Sequence, residues 1–352
     1  MNRRQFIESS AVTAACAVLV PPLHSAPAKR PKGRSANRLL NAYYLRAHMY
    51  TMVPRQVRED MKWMAGLGTD AVSIAVLEQD FEASTENIHI IINEASKEGL
   101  KVFALPSRWG GIVAGAPKVP SLFTVRNQQT WMRGVDGKYI DSTVSGRISS
   151  LFHPDTLDFV CTNLERMIKQ WPVSGIVWDE PKTILRDFSP EAQAVCGPTP
   201  SLEQCVDQNV RFFSKVNAAI KSLNPQLTTS LFLYASYEDM VVNKMAAIEH
   251  LDYSGCDGRP WREADGGTPE SKGKYLLGNG ERFLEAAHKN GKKSLWVLEH
   301  HNMQDKDLPL LDRRMPEVLT KPIDQAIYFY YPRNLQSPDR VMKTVASHLE
   351  KF

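Results

Sequence analysis

Eight short apolar runs recur along this chain, and helical stretches separate most of them. The runs fall at residues 38–44, 70–77, 101–105, 175–178, 228–233, 251–255, 294–298 and 325–330. Helical periodicity is read over 54–65, 86–98, 154–170, 202–223, 281–290 and 340–351. Proline opens the helix at Pro54, and Gly66 and Gly68 stop it; Gly99 stops the next. Buried parallel strands read as continuous apolar runs rather than alternating ones, because helices cover the sheet from outside. Repeated β-then-α units over 352 residues, without a long polar linker among them, predict a single-domain (β/α)8 TIM barrel of the α/β class spanning 38–352. The rival is an open doubly wound sheet, which would place a glycine-rich phosphate loop after its first strand. Here that position reads Tyr43-Tyr44-Leu45-Arg46. A long excursion over 106–152 holds Asp136-Gly137, a hairpin signal.

Several function classes are excluded early. Formal net charge is +4, so the total implies no polyanion partner. The folded region has no patterned basic and aromatic face for nucleic acid. Neither a Gly-x-Ser-x-Gly elbow nor a phosphate-loop Gly-Lys-Ser/Thr element occurs. No cofactor or resident metal is expected.

The N-terminus carries its own message. Arg3-Arg4-Gln5-Phe6-Ile7 resembles a twin-arginine export box, and residues 11–20 form an apolar stretch too short to span a bilayer. Ala26-Pro27-Ala28 offers a cleavage site, so 1–28 reads as a signal peptide and 29–37 as a basic linker. An ordinary basic N-terminus is the competing reading. Export implies a periplasmic or secreted protein with no stable membrane insertion after signal removal. Cys16 sits in the apolar stretch, but Thr13 stands where a lipoprotein signal has Leu. Cys196 and Cys205 flank a short loop and are candidates for a local disulfide in an oxidising compartment.

Chemistry gathers at the strand ends. Strand four runs into Trp178-Asp179-Glu180-Pro181, and strand seven, with Trp296 inside it, ends at Glu299. A barrel brings both ends to one mouth, the face where such folds hold active sites. Two carboxylates from different strands can cleave a glycosidic bond, one as acid and one as nucleophile or base. Trp178-Asp179-Glu180-Pro181 resembles the Trp-Asn-Glu-Pro motif of clan A glycoside hydrolases, built on (β/α)8 barrels. That resemblance implies Glu180 as acid/base, Glu299 as nucleophile and a carbohydrate substrate.

Asp179 departs from the motif's Asn and cannot donate a hydrogen bond when ionised. Asp179 is therefore an auxiliary or a rival, since other barrel glycosidases end strand four in a catalytic Asp. Adjacent strand residues face opposite ways, which leaves one of the two acids free to be structural. Burial against Trp178 or Trp296 would favour a neutral acid.

Other strand-end groups suit a sugar cleft: Arg108 and Trp109, Tyr234 and Tyr237, Asp257, Arg259 and Trp261, and His300 and His301. Tyr43 and Tyr44 read as core. Two alternatives stand beside the glycosidase. One is a metal-dependent sugar isomerase or epimerase using Glu180, Asp257, Glu299 and His301. The other is a carbohydrate-binding barrel without turnover.

Overall fold

A computed structural model describes residues 37–45, 49, 51–142, 146–261 and 275–352. The signal peptide, nearly all of the basic linker and Cys16 lie outside the described residues. Eight strands form the barrel: β1 (Leu39–Tyr44), β2 (Ala71–Val76), β3 (Lys101–Pro106), β4 (Gly175–Asp179), β5 (Thr228–Tyr234), β6 (Tyr253–Gly258), β7 (Lys293–Leu298) and β8 (Gln325–Tyr330). All pairings are parallel, and the sheet closes where β1 meets β8, Leu39 opposite Gln325. The remaining order follows the chain.

A helix covers each strand: α1 (Pro54–Gly66), α2 (Thr85–Lys97), α3 (Pro154–Gln170), α4 (Leu202–Leu223), α5 (Asp239–Ala246), α6 (Glu281–Lys289), α7 (Leu308–Thr320) and α8 (Pro338–Leu349). The sequence reading does not mark α5 or α7. α5 is a short element of eight residues, and α7 carries Pro309 in its first turn and Pro316 inside, which breaks helical periodicity. α4 is long and fully capped, with the Ser201 hydroxyl accepting from the Gln204 N–H and the Gln204 side chain accepting from Ser201.

Two apolar cores result. Inward side chains, among them Tyr43, Phe103, Val177, Phe232, Val297 and Ile327, pack along the barrel axis. Outward side chains, including Trp178 and Trp296, fill the layer between strands and helices. The barrel interior is therefore a packed plug, and a cavity opens at the C-terminal ends of the strands.

The excursion after β3 is pinned to the barrel. The buried part of Glu78 accepts from the Gly110 N–H (3.2 Å), the Ser121 hydroxyl (2.5 Å) and the Phe123 N–H (2.7 Å). Burial pushes its carboxyl up. The Asp136-Gly137 turn closes an antiparallel bridge between Arg133 and Tyr139, as the hairpin signal predicts. Cys196 and Cys205 are both free thiols. Cys205 is buried instead with its Sγ accepting from the Asp187 N–H at 3.4 Å, so the suggested disulfide is not present.

Candidate active site

Strand alternation decides which acids face the axis. Val177 points inward, so Asp179, two residues on, does too. The same parity carries Phe232 to Tyr234, Tyr253 through Gly255 to Asp257, and Leu295 through Val297 to Glu299. Glu180 should then face away. Its backbone is left-handed instead (φ 32°), and its N–H donates to the Phe232 carbonyl at 3.1 Å. That conformation is costly for a residue with a Cβ. It turns Glu180 back to the mouth, and both neighbouring acids line the same cavity.

The cavity has a volume of about 320 Å³, near the lower end of the roughly 300–1,000 Å³ usual for small-ligand sites. Glu180 lines this cavity and converges with Asp257 and Glu299, which are not among its lining residues, each of the three offering an oxygen within 4.8 Å of the others. All three are buried or nearly so. The Lys182 ammonium bonds Glu180 Oε2 at 2.5 Å, and Arg259 Nε bonds Glu299 Oε2 at 3.3 Å. His301 Nε2 stands 3.9 Å from the same Glu299 oxygen. The Trp261 indole N–H donates to the Glu299 carbonyl at 3.0 Å and its ring carries the Arg259 guanidinium. Trp261 thus props the acid and its cation.

Asp179, beside Glu180 at the end of β4, lies near Tyr43 and Arg108. Burial pushes the Tyr43 phenol well above its ordinary value, and the nearby Asp179 charge adds to this. Burial lowers the Arg108 guanidinium, with Asp179 opposing. Tyr237 is pushed up by burial and by Glu180, Asp257 and Tyr234, so it stays a protonated neighbour of the acids.

Several sequence expectations need correction. Trp109, Trp178 and Trp296 are fully buried outside the barrel, their indole N–H groups donating to the Val76 carbonyl, Asn217 Oδ1 and the Gly280 carbonyl. Outward parity puts Trp178 and Trp296 against helices, so neither ring covers an acid. His300 is a pin: its ring nitrogens lie 3.0 Å from the Leu298 carbonyl and 2.7 Å from that of Phe329, tying β7 to β8. Arg108, Tyr234, Arg259 and His301 do line the cavity. Tyr43, read as core, lines it as well, while Tyr44 is core and donates to Asp60 at 2.7 Å. Lys118, Lys182, Asn302, Phe329 and Arg333 were not marked. Inward parity on β8 could have found Phe329, and position two after Glu180 could have found Lys182. Lys118 and Arg333 lie in loops that carry no such signal.

His300 also gives a stability prediction. Burial lowers its imidazole to about 4, from an ordinary 6.5. The unfolded chain therefore takes up a proton that the folded chain refuses, and stability falls as pH drops from 6.5 through 4. The shift corresponds to about 3 kcal/mol at most. Urea titrations at pH 7.5 and 4.5 should show a larger pH-dependent loss for the native chain than for His300→Gln. Equal losses in both would contradict this.

No family model matches the sequence, and neither does any curated protein. Solved structures do match. The chain is similar to the β-galactosidase of psychrophilic Marinomonas ef1 (TM-score 0.59, 13% identity, 89% of this chain and 58% of that one). It is also similar to the β-amylase catalytic domain from Paenibacillus polymyxa (0.58, 10%, 90% and 97%). A third likeness is the endo-1,4-β-mannanase from Rhizomucor miehei (0.56, 12%, 89% and 93%). The chain spans only 58% of the galactosidase and 48% of an α-L-fucosidase isoenzyme from Paenibacillus thiaminolyticus. With its closed parallel sheet, the chain therefore has the (β/α)8 barrel fold found in solved glycoside hydrolases.

Proposed function

We propose that this protein is a retaining glycoside hydrolase, with Glu180 as acid/base and Glu299 as nucleophile. The observation that carries the reading is the approach of Glu180 and Glu299 oxygens to within 4.8 Å. Retaining enzymes hold their carboxyl groups about 5–5.5 Å apart, whereas inverting ones leave about 6.5–9.5 Å for a water. In the first step Glu299 attacks the anomeric carbon, the glycosidic C–O bond breaks, and the Glu180 proton passes to the leaving oxygen. Water then attacks the same carbon, Glu180 takes its proton, and Glu299 is released. Arg259 supplies countercharge to the carboxylate that must attack. Lys182 compensates the charge that Glu180 acquires on giving up its proton. Asp179, beside Arg108 and Tyr43, is suited to accept from sugar hydroxyls.

The acid role is tested with aryl glycosides of graded leaving groups. Glu180→Gln should slow phenyl glycosides by about 10²–10⁴-fold and dinitrophenyl glycosides far less, since a good leaving group needs no proton. Equal slowing of both would remove Glu180 from that role.

The same three oxygens support a second reading, a divalent-cation site of a sugar isomerase. Against it, Lys182 and Arg259 already contact an oxygen of Glu180 and of Glu299, where a cation would have to bind. Hydrolysis that survives a strong chelator favours the first reading; sugar isomerisation abolished by it favours the second. We also propose export through the twin-arginine route, on the strength of Arg3, Arg4 and Phe6. Processing near Ala28 in the periplasm would support it.

A further inference from the structure

Charge is unevenly shared around the mouth. The acids Glu180, Asp257 and Glu299 belong to β4, β6 and β7, one arc of the closed sheet. Arg108 and Lys118 follow β3 and Arg333 follows β8, on the other arc, with Tyr43 of β1 between them. Lys182 and Arg259 each hold one of the acids. Among the described residues no carboxylate forms a salt bridge with Lys118 or Arg333. Both are exposed at the rim, and the buried Arg108 lies below them.

This basic wall is built on fixed backbone. The Arg108 N–H donates to the Ala114 carbonyl at 3.0 Å, and the Ala114 N–H to that of Asp179 at 2.7 Å. The Ser107 hydroxyl donates to the Ala116 carbonyl at 3.1 Å. Gly115 (φ +120°) has no room for a side chain, since a Cβ there would stand 2.2 Å from Ser107 Oγ. The Arg333 carbonyl accepts from the Asn302 N–H at 3.2 Å. Like charges are thus held where they repel: after burial, Arg333, Arg108 and Lys182 push the Lys118 ammonium below its ordinary value. An anion seated between these groups would relieve that repulsion, and a guanidinium fork matches a carboxylate or sulfate.

We infer that the sugar in this cavity carries an anionic substituent, a carboxylate or a sulfate ester, held by Arg108, Lys118 and Arg333. The inference rests on the glycosidase reading for the orientation: the anomeric carbon faces the acidic arc, the substituent the basic one. Neutral sugars would satisfy the acids and leave the charges of Lys118 and Arg333 at the rim unanswered, while Arg108 already lies near Asp179.

Ligand-observed NMR titration of the full chain tests this without turnover. The probes are glucuronic, galacturonic and mannuronic acids and the 6-sulfates of glucose, galactose and N-acetylglucosamine, each beside its uncharged parent. At least one charged sugar should bind about tenfold tighter than its parent or better, the least that one charge-assisted hydrogen bond is worth. The Lys118→Gln/Arg333→Gln double variant should bring that ratio close to one. Whether a uronate or a sulfate responds identifies the group. Parents binding as well as their charged partners, no charged sugar binding, or a preference unchanged in the double variant would each overturn the inference. Hydrolysis of neutral glycosides with no anionic preference sinks this inference alone. Charged-sugar binding without hydrolysis of any aryl glycoside supports the anion site and sinks the glycosidase reading instead.

Discussion

Glu299→Gln is expected to lower turnover of an aryl glycoside by ~10⁴-fold or more, the scale of removing a nucleophile. The chain should still fold. The Glu299 N–H donates to the Gly258 carbonyl at 2.8 Å and its carbonyl accepts from Trp261, and neither bond involves the side chain. A Gln amide oxygen can still accept from Arg259. What disappears is the negative charge and the oxygen that attacks. Glu299→Ala supplied with azide should recover part of the rate and release a glycosyl azide of inverted configuration. Circular dichroism and melting temperature would separate this loss from misfolding. A variant that folds and keeps more than a tenth of its activity would remove Glu299 from the chemistry.

Gly255→Ala should have the largest effect on the fold. Gly255 lies on β6 opposite Leu295 of β7, and a Cβ there would sit 1.6 Å from the Leu295 carbonyl oxygen. A backbone atom in a closed parallel sheet cannot swing aside, so the two strands must part. The loss is expected to reach about 4 kcal/mol or more, the range reserved for core disruption. Asp257 and Glu299 end these same strands, so any protein that folds should also lose the close approach of its acids. Urea unfolding of Gly255→Ala against the native chain measures the cost. A change below about 0.5 kcal/mol, the range of ordinary surface substitutions, would mean that the β6–β7 approach is looser than this.

The barrel was legible because buried parallel strands leave continuous apolar runs, and proline and glycine mark many helix ends. α3, α4 and β8 have the bounds that the sequence suggests. α7 was hidden by its two prolines, and α5 by its shortness. In the site, parity on β7 and β6 was available for Glu299 and Asp257, and both face the axis. Aromatic composition misled: Trp178 and Trp296 resemble sugar platforms in a list, yet one step of parity places them against helices. Glu180 is the reverse case. Parity alone turns it away from the cavity, and only its left-handed φ brings it back. Lys118 and Arg333 reach the mouth through loop paths, which tertiary packing sets and local pattern does not.

Trapping the glycosyl-enzyme intermediate identifies the nucleophile. The protein is incubated with the 2-deoxy-2-fluoro analogue of an aryl glycoside it hydrolyses, digested, and mapped by mass spectrometry. A single glycosyl label on Glu299 is expected. A label on Asp179 or Asp257, or full inactivation with no covalent adduct, would contradict it.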